Sequence, residues 1–132
     1  MDTEELIRCY YDAFNAGRQA GMLALLSEDV IHEVNQGEAQ VGLAAFGQFL
    51  RHMEACYEET VENLVVCLSP CGERAAAEFF IHGRYVGTDP GLPEANGQTY
   101  HLRVGAFFEV AAGKIARVTN YYNMADWLRM IG

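Results

Sequence analysis

The side chains best able to do chemistry in this chain are His32 and a late group made of His101, Arg103, Asn120 and Tyr122. Imidazole titrates nearest neutral pH, so His32 is the natural candidate for a general acid or base. Arg103 can orient or neutralise an anionic group, while His101, Asn120 and Tyr122 can hydrogen-bond a carbonyl. Asn35, with Glu33 and Glu38, follows the first strand, either at the mouth of a pocket or in solvent. No glycine-rich phosphate loop is present, and Cys67 and Cys71 are separated by three residues with no histidine nearby, so no metal or organic cofactor is expected.

The elements that must position these residues read in a simple order. Asp2 can cap a helix with Glu5 three residues on, and Leu6, Ile7, Tyr10, Ala13 and Phe14 recur at helical spacing. A short helix through Met22 to Leu26 stops at Ser27-Glu28-Asp29, and residues 30–35 read as a short strand. Phe46, Phe49, Leu50, Met53 and Tyr57 give a third helix one buried face. Residues 61–69, 74–86, 99–110 and 114–122 are β-branched and aromatic, with turn residues between them, and predict an antiparallel meander. Met124 to Ile131 is too short for a full helix. The connection GTDPGLPEANGQ, from Gly87 to Gln98, is either a lid over a site or a plain surface excursion.

In the strand over 99–110, Leu102, Val104, Ala106, Phe108 and Val110 share one face, and His101, Arg103, Gly105, Phe107 and Glu109 share the other. If the turn at 111–113 pairs Glu109 with Lys114, Arg103 opposes Asn120 and His101 opposes Tyr122, which gathers a mixed polar and apolar face suited to a ligand cavity. The uniformly apolar face then needs a cover, which predicts a homodimer through the outer face of the sheet. A slip of one residue exchanges the two faces and leaves the four polar residues in solvent.

The chain has 132 residues, enough for one core, and its 51% hydrophobic content can fill it; residues 1–132 are therefore expected to form a single α+β domain. Eighteen acidic against nine basic residues give a net charge of −9, which argues against nucleic acid and anionic membranes as partners. The N-terminal stretch has no signal-peptide pattern and no run long enough to span a bilayer is present, so the cytoplasm is the expected location. The four cysteines sit in apolar company and read as structural free thiols.

This order of elements resembles the nuclear transport factor two-like fold, a cone-shaped α+β barrel enclosing a pocket. SEDVIHEVNQGE followed by VGLAAFGQFL, and GKIARVTNYYNMADWLRMIG, resemble segments of ketosteroid isomerases and SnoaL-like polyketide cyclases. HEVNQG, GQTYHLRVGAFFEV and GKIARVTNYYN are similar to the ketosteroid isomerase-related group. The resemblance places the isomerase's enolate-stabilising tyrosine on Tyr10, its general base on Val34 and its second acid on Gly105; the cyclase's catalytic aspartate falls on Asn120. Valine cannot shuttle a proton and an amide cannot titrate, so the usual isomerase mechanism is not expected. What the resemblance leaves is His32, on the same strand face as Val34, acting as base with Tyr10 as donor on a small hydrophobic, carbonyl-bearing ligand. A non-catalytic binding module and a dimeric interaction module are the alternatives.

Overall fold

The computed structural model describes residues 1–132. Helix α1 (Thr3–Asn15) starts where the Asp2 side chain accepts a hydrogen bond from the Glu5 N–H at 2.8 Å, and its apolar stripe buries Leu6, Ile7, Tyr10, Tyr11 and Ala13. Helix α2 (Gln19–Leu23) ends earlier than its apolar residues suggest, because Leu26 already belongs to β1 (Leu26–Val34), which is longer than the strand expected over 30–35. A two-residue strand β2 (Gln40–Val41) pairs with β1 and leads into α3 (Leu43–Cys56). Then come β3 (Tyr57–Leu68), β4 (Arg74–Tyr85), β5 (Gln98–Ala111) and β6 (Lys114–Tyr122). The last segment does form a helix, α4 (Met124–Ile131), capped by the Asn123 side chain and held by buried Trp127 and Ile131.

The sheet runs β2-β1-β6-β5-β4-β3, with the expected meander over β3 to β6 and β1 parallel to β6. It is curved and unclosed rather than a complete barrel: β2 and β3 form its two edges. Asn15 of α1 covers part of the β3 edge, its amide exchanging hydrogen bonds with the Val61 N–H (2.7 Å) and carbonyl (3.0 Å).

The register between β5 and β6 differs from the expected one. Ala111 pairs with Lys114 and Val110 with Ile115, but Glu109 pairs with Arg117, leaving Ala116 as an extra residue. Beyond this bulge Ala106 opposes Asn120 and Val104 opposes Tyr122. The apolar face of β5 is therefore the inner one. His101 and Arg103 lie on the outer face, exposed, with Arg103 4.9 Å from the Phe80 ring centroid and His101 stacked on Phe80 at 4.7 Å. Their expected place in the cone is corrected by that single extra residue. Gly105, which the resemblance aligned with an active-site acid, also pairs with Tyr121 on the outer face.

Among the cysteines only Cys56 is buried; Cys9, Cys67 and Cys71 are exposed free thiols, so the core reading applies to one of the four. No helix is long and apolar enough to cross a membrane.

The connection from Val86 to Gly97 is pinned rather than loose. Tyr85 donates to the Pro93 carbonyl at 2.6 Å and accepts from the Asp89 N–H at 2.8 Å, and the Cys56 carbonyl accepts from the N–H groups of Val86 and Gly87. A Cβ on Gly87 would stand 2.3 Å from the Ala55 carbonyl oxygen, a backbone atom that cannot step aside. Gly87→Ala is expected to cost about 1–3 kcal/mol of stability, read as a lower urea midpoint with an unchanged slope.

Candidate functional site

The concave side of the sheet and helices α1, α3 and α4 line an open-mouthed cavity of about 520 Å³. That volume lies inside the roughly 300–1,000 Å³ range of small-molecule sites. Most of its wall is apolar, from residues such as Phe14, Phe46, Phe79, Leu102 and Val104. The polar groups reaching it are His32, Glu59, Asp89 and Asn120 and the hydroxyls of tyrosines 10, 11, 57, 100 and 122; no lysine or arginine lines it.

His32 points inward from β1 because it alternates with the outer-facing Ile31 and Glu33. Its ring sits 4.5 Å from Phe46 and 4.6 Å from Phe49, both on α3, and only 4% of the residue is exposed. Burial holds the imidazole down to about 4 from its ordinary value near 6.5, so at neutral pH it is an uncharged ring and a weak base. Val34 pairs with Asn120 across β1 and β6, and both line the cavity. Tyr10 reaches in from α1, edge-on to Phe108 at 6.0 Å; burial pushes its phenol up, so it stays a proton donor.

A second polar group lies where β3, β5, α4 and the 86–97 connection meet. The Tyr57 hydroxyl donates to Asp89 Oδ2 at 2.7 Å, and Tyr100 donates to Glu59 Oε2. Burial raises Tyr57, Tyr100, Tyr122 and also the Glu59 carboxyl, while the Tyr100 hydrogen bond pulls Glu59 back down. Sequence reading missed Glu59 and Asp89. Glu59 sits in YEETVEN, where its acidic neighbours Glu58 and Glu62 face outward, and only the period of two from Tyr57 and Val61 marks it as inward.

Asn35, expected to touch ligand, instead closes the end of β1 onto β6. Its side-chain oxygen accepts from the Tyr122 N–H at 2.8 Å and its own N–H donates to the Asn120 carbonyl, while Nδ2 is buried without a partner. It borders a smaller depression with Gln36, Tyr121, Tyr122 and Met124, beside the main cavity. Glu33 belongs to the outer face, where it accepts from Thr119 at 2.8 Å.

His52, Cys56 and Asp89 bring one ligand atom each within 4.8 Å of one another. The imidazole and carboxylate of that set are already joined at 3.0 Å, and Asp89 also holds Tyr57, so the grouping ties the connection to α3. Asp89 and Leu92 thereby form part of the cavity wall.

The profile of the SnoaL-like domain family matches residues 7–118. The chain belongs to the SnoaL-like domain family. Three solved structures share about half its residues over nearly their whole length. One, from Pseudomonas putida and provisionally named a polyketide cyclase, is 55% identical, with 100% of this chain and 99% of that chain covered and a TM-score of 0.98. Another of the same provisional name, from Xanthomonas campestris, is 48% identical over 98% of this chain and 96% of that one, with a TM-score of 0.96. A more distant structure, provisionally named a ketosteroid isomerase, from Kribbella flavida, is 27% identical over 92% of this chain and 77% of that one, at a TM-score of 0.66. No curated protein matches. The SnoaL-like domain thus has the nuclear transport factor two-like architecture that its element order resembles.

The depressed His32 value fixes a pH dependence in this SnoaL-like domain. Between about 4 and 6.5 the unfolded chain binds the proton that the folded chain refuses, so stability falls as pH drops through that window. From pH 7 to pH 5 this one group is expected to cost about 2 kcal/mol. Denaturant unfolding at the two pH values should show that loss in the wild type, and less of it in His32→Gln.

Proposed function

We propose that this SnoaL-like domain binds a small, uncharged, mostly apolar molecule bearing a carbonyl, and promotes cyclase- or isomerase-type proton transfer on it. The observation that carries the reading is the cavity itself: about 520 Å³, apolar over most of its wall, with a few convergent donors. Two acidic groups and no cation border it, which disfavours a carboxylate or phosphate ligand. Family membership supports the same class of chemistry.

In this reading Tyr10 and His32 are the catalytic donors. At neutral pH Tyr10 keeps its phenolic proton and the uncharged His32 ring still carries one N–H, and in an apolar site an O–H or N–H aimed at a developing enolate oxygen is worth more than in bulk solvent. Asn120 and Tyr122 orient the ligand, and Asn35 supports them from the rim through its bond to the Tyr122 backbone. An interior filled by side chains would favour a pure interaction module, and the open cavity speaks against it.

The test is turnover of a panel of poly-β-keto esters and β,γ-unsaturated cyclic ketones. His32→Ala is expected to lower turnover about 100-fold, while the thermal upshift given by the same compounds survives. Unchanged turnover in His32→Ala would remove it from the chemistry, and compounds recovered unaltered by wild type despite an upshift would favour binding without catalysis.

A second copy of the chain is the proposed partner, docked on the outer sheet face. That face exposes Val65 (54%), Phe107 (44%) and Tyr121 (41%) around the Phe80 stack. Light scattering should give a dimer mass for the wild type and a monomer mass for Phe107→Glu; a monomeric wild type would contradict this assembly.

A further inference from the structure

Glu59 is built into the cavity in a way that a merely tolerated acid would not need. It stands on the inner face of β3; its partner on β4 is Gly83, and the partner of Gly83 on β5 is Tyr100. With no side chain at position 83, the Tyr100 ring lies flat across β4. A Cβ at Gly83 would be 2.2 Å from ring atoms Cε2 and Cζ and 2.6 Å from the hydroxyl oxygen. The ring thereby spans from β5 to β3 and its O–H donates to Glu59 Oε2. Oε1 takes no protein hydrogen bond, on a residue that lines the cavity.

We propose that Glu59 is the general base of the cavity, that Tyr100 is its positioning residue, and that the substrate is an uncharged molecule with an acidic C–H beside a carbonyl. This deepens the proposed function and rests on it. Glu59 carboxylate removes the proton, and the C–H electron pair becomes the enolate. The enolate then either takes the same proton back at another carbon, or bonds a second carbonyl carbon of the same molecule, whose alkoxide oxygen takes the proton. Either way Glu59 returns to carboxylate and no oxidant or reductant is consumed. His32 is too weakly basic to serve, whereas burial lifts the Glu59 carboxyl above its ordinary value and the Tyr100 bond restrains the rise. Such a group can both take and return a proton.

Tyr100 from β5, Tyr122 from β6, Tyr57 from β3 and Asp89 from the 86–97 connection share this part of the cavity with Glu59; Tyr10, Tyr11 and His32 complete the titratable lining. Burial holds all five tyrosines in the phenol form and His32 near 4. His52 and Cys56 stand beside Asp89 and also titrate between carboxylates and phenols, so an inflection in that range reports Glu59 when it survives Asp89→Asn and disappears in Glu59→Gln.

The direct test uses 5-nitrobenzisoxazole, an uncharged aromatic that needs only a base. When its ring C–H proton is removed, the electron pair forms a nitrile, the N–O bond breaks, and a coloured phenolate leaves. The wild type is expected to accelerate this reaction with an inflection above the usual carboxylate range. Glu59→Gln should lose about 100-fold, and Glu59→Asp should keep the inflection at a reduced rate. Tyr100→Phe and Gly83→Ala should remain active with the inflection moved upward, because the bond that favours the carboxylate is lost. Asp89→Asn should leave the inflection in place. Undiminished turnover in a folded Glu59→Gln variant overturns the proposal. A thermal upshift with the probe but no Glu59-dependent turnover also overturns it while leaving the binding cavity intact; neither upshift nor turnover overturns both.

Discussion

One extra residue in β6 decides which of that strand's side chains face the cavity. Because Ala116 is unpaired between Ile115 and Arg117, Val118, Asn120 and Tyr122 come to share a face with Phe108, Ala106 and Val104. Without the bulge the same side chains would meet Arg103 and Gly105. A period of two leaves no intermediate solution, so a single insertion sets which face of β6 beyond it joins the apolar face of β5. The outward half of the sheet is then free to carry the ion pairs Arg117 with Glu109 and Arg74 with Glu109, together with the Phe80 stack.

The apolar interior is not filled. Helices α1, α3 and α4 cover the concave face with Tyr10, Phe46, Leu50 and Trp127, yet leave a cavity whose size suits a ligand rather than one or two waters. Its polar groups are arranged by economy of partners. Tyr57 holds Asp89 and Tyr100 holds Glu59, so both carboxylates are hydrogen-bonded while neither has a cation facing it in the cavity. Each tyrosine comes from a different strand, so the second polar group depends on β3, β4 and β5 being in register. Gly83 is the point at which that dependence is most acute.

Much of the fold was legible because its signals are local. The Asp2 cap, the apolar stripes of α1 and α3, and the four β-branched segments each follow from residues a few positions apart. The bulge was not legible: Ala116 differs in nothing from a paired alanine, and only cross-strand packing selects it. The site divided along the same line. His32, Tyr10, Asn120 and Tyr122 line the cavity, because the strand and helix faces that carry them are fixed by short-range periodicity. His101 and Arg103 do not, because their face hung on the register of the turn. Glu59 escaped notice because an inward acid in an acidic strand looks like its solvated neighbours until Tyr100, forty-one residues away in sequence, is seen to reach it across a glycine.

Taken as chemistry, the cavity offers hydroxyl and imidazole donors, a carboxylate with one oxygen free of protein hydrogen bonds, and no lysine or arginine, and the guest proposed for it is accordingly uncharged and hydrophobic. The most direct measurement of that claim is a crystal structure of the purified protein soaked with 2-naphthol, a neutral aromatic with one hydroxyl. The account predicts density for the bicyclic ring among Phe46, Phe79 and Trp127, with the hydroxyl within hydrogen-bonding distance of Glu59, Asn120 or His32. Naphthol bound only outside the cone, with the interior closed over by side chains, would contradict it.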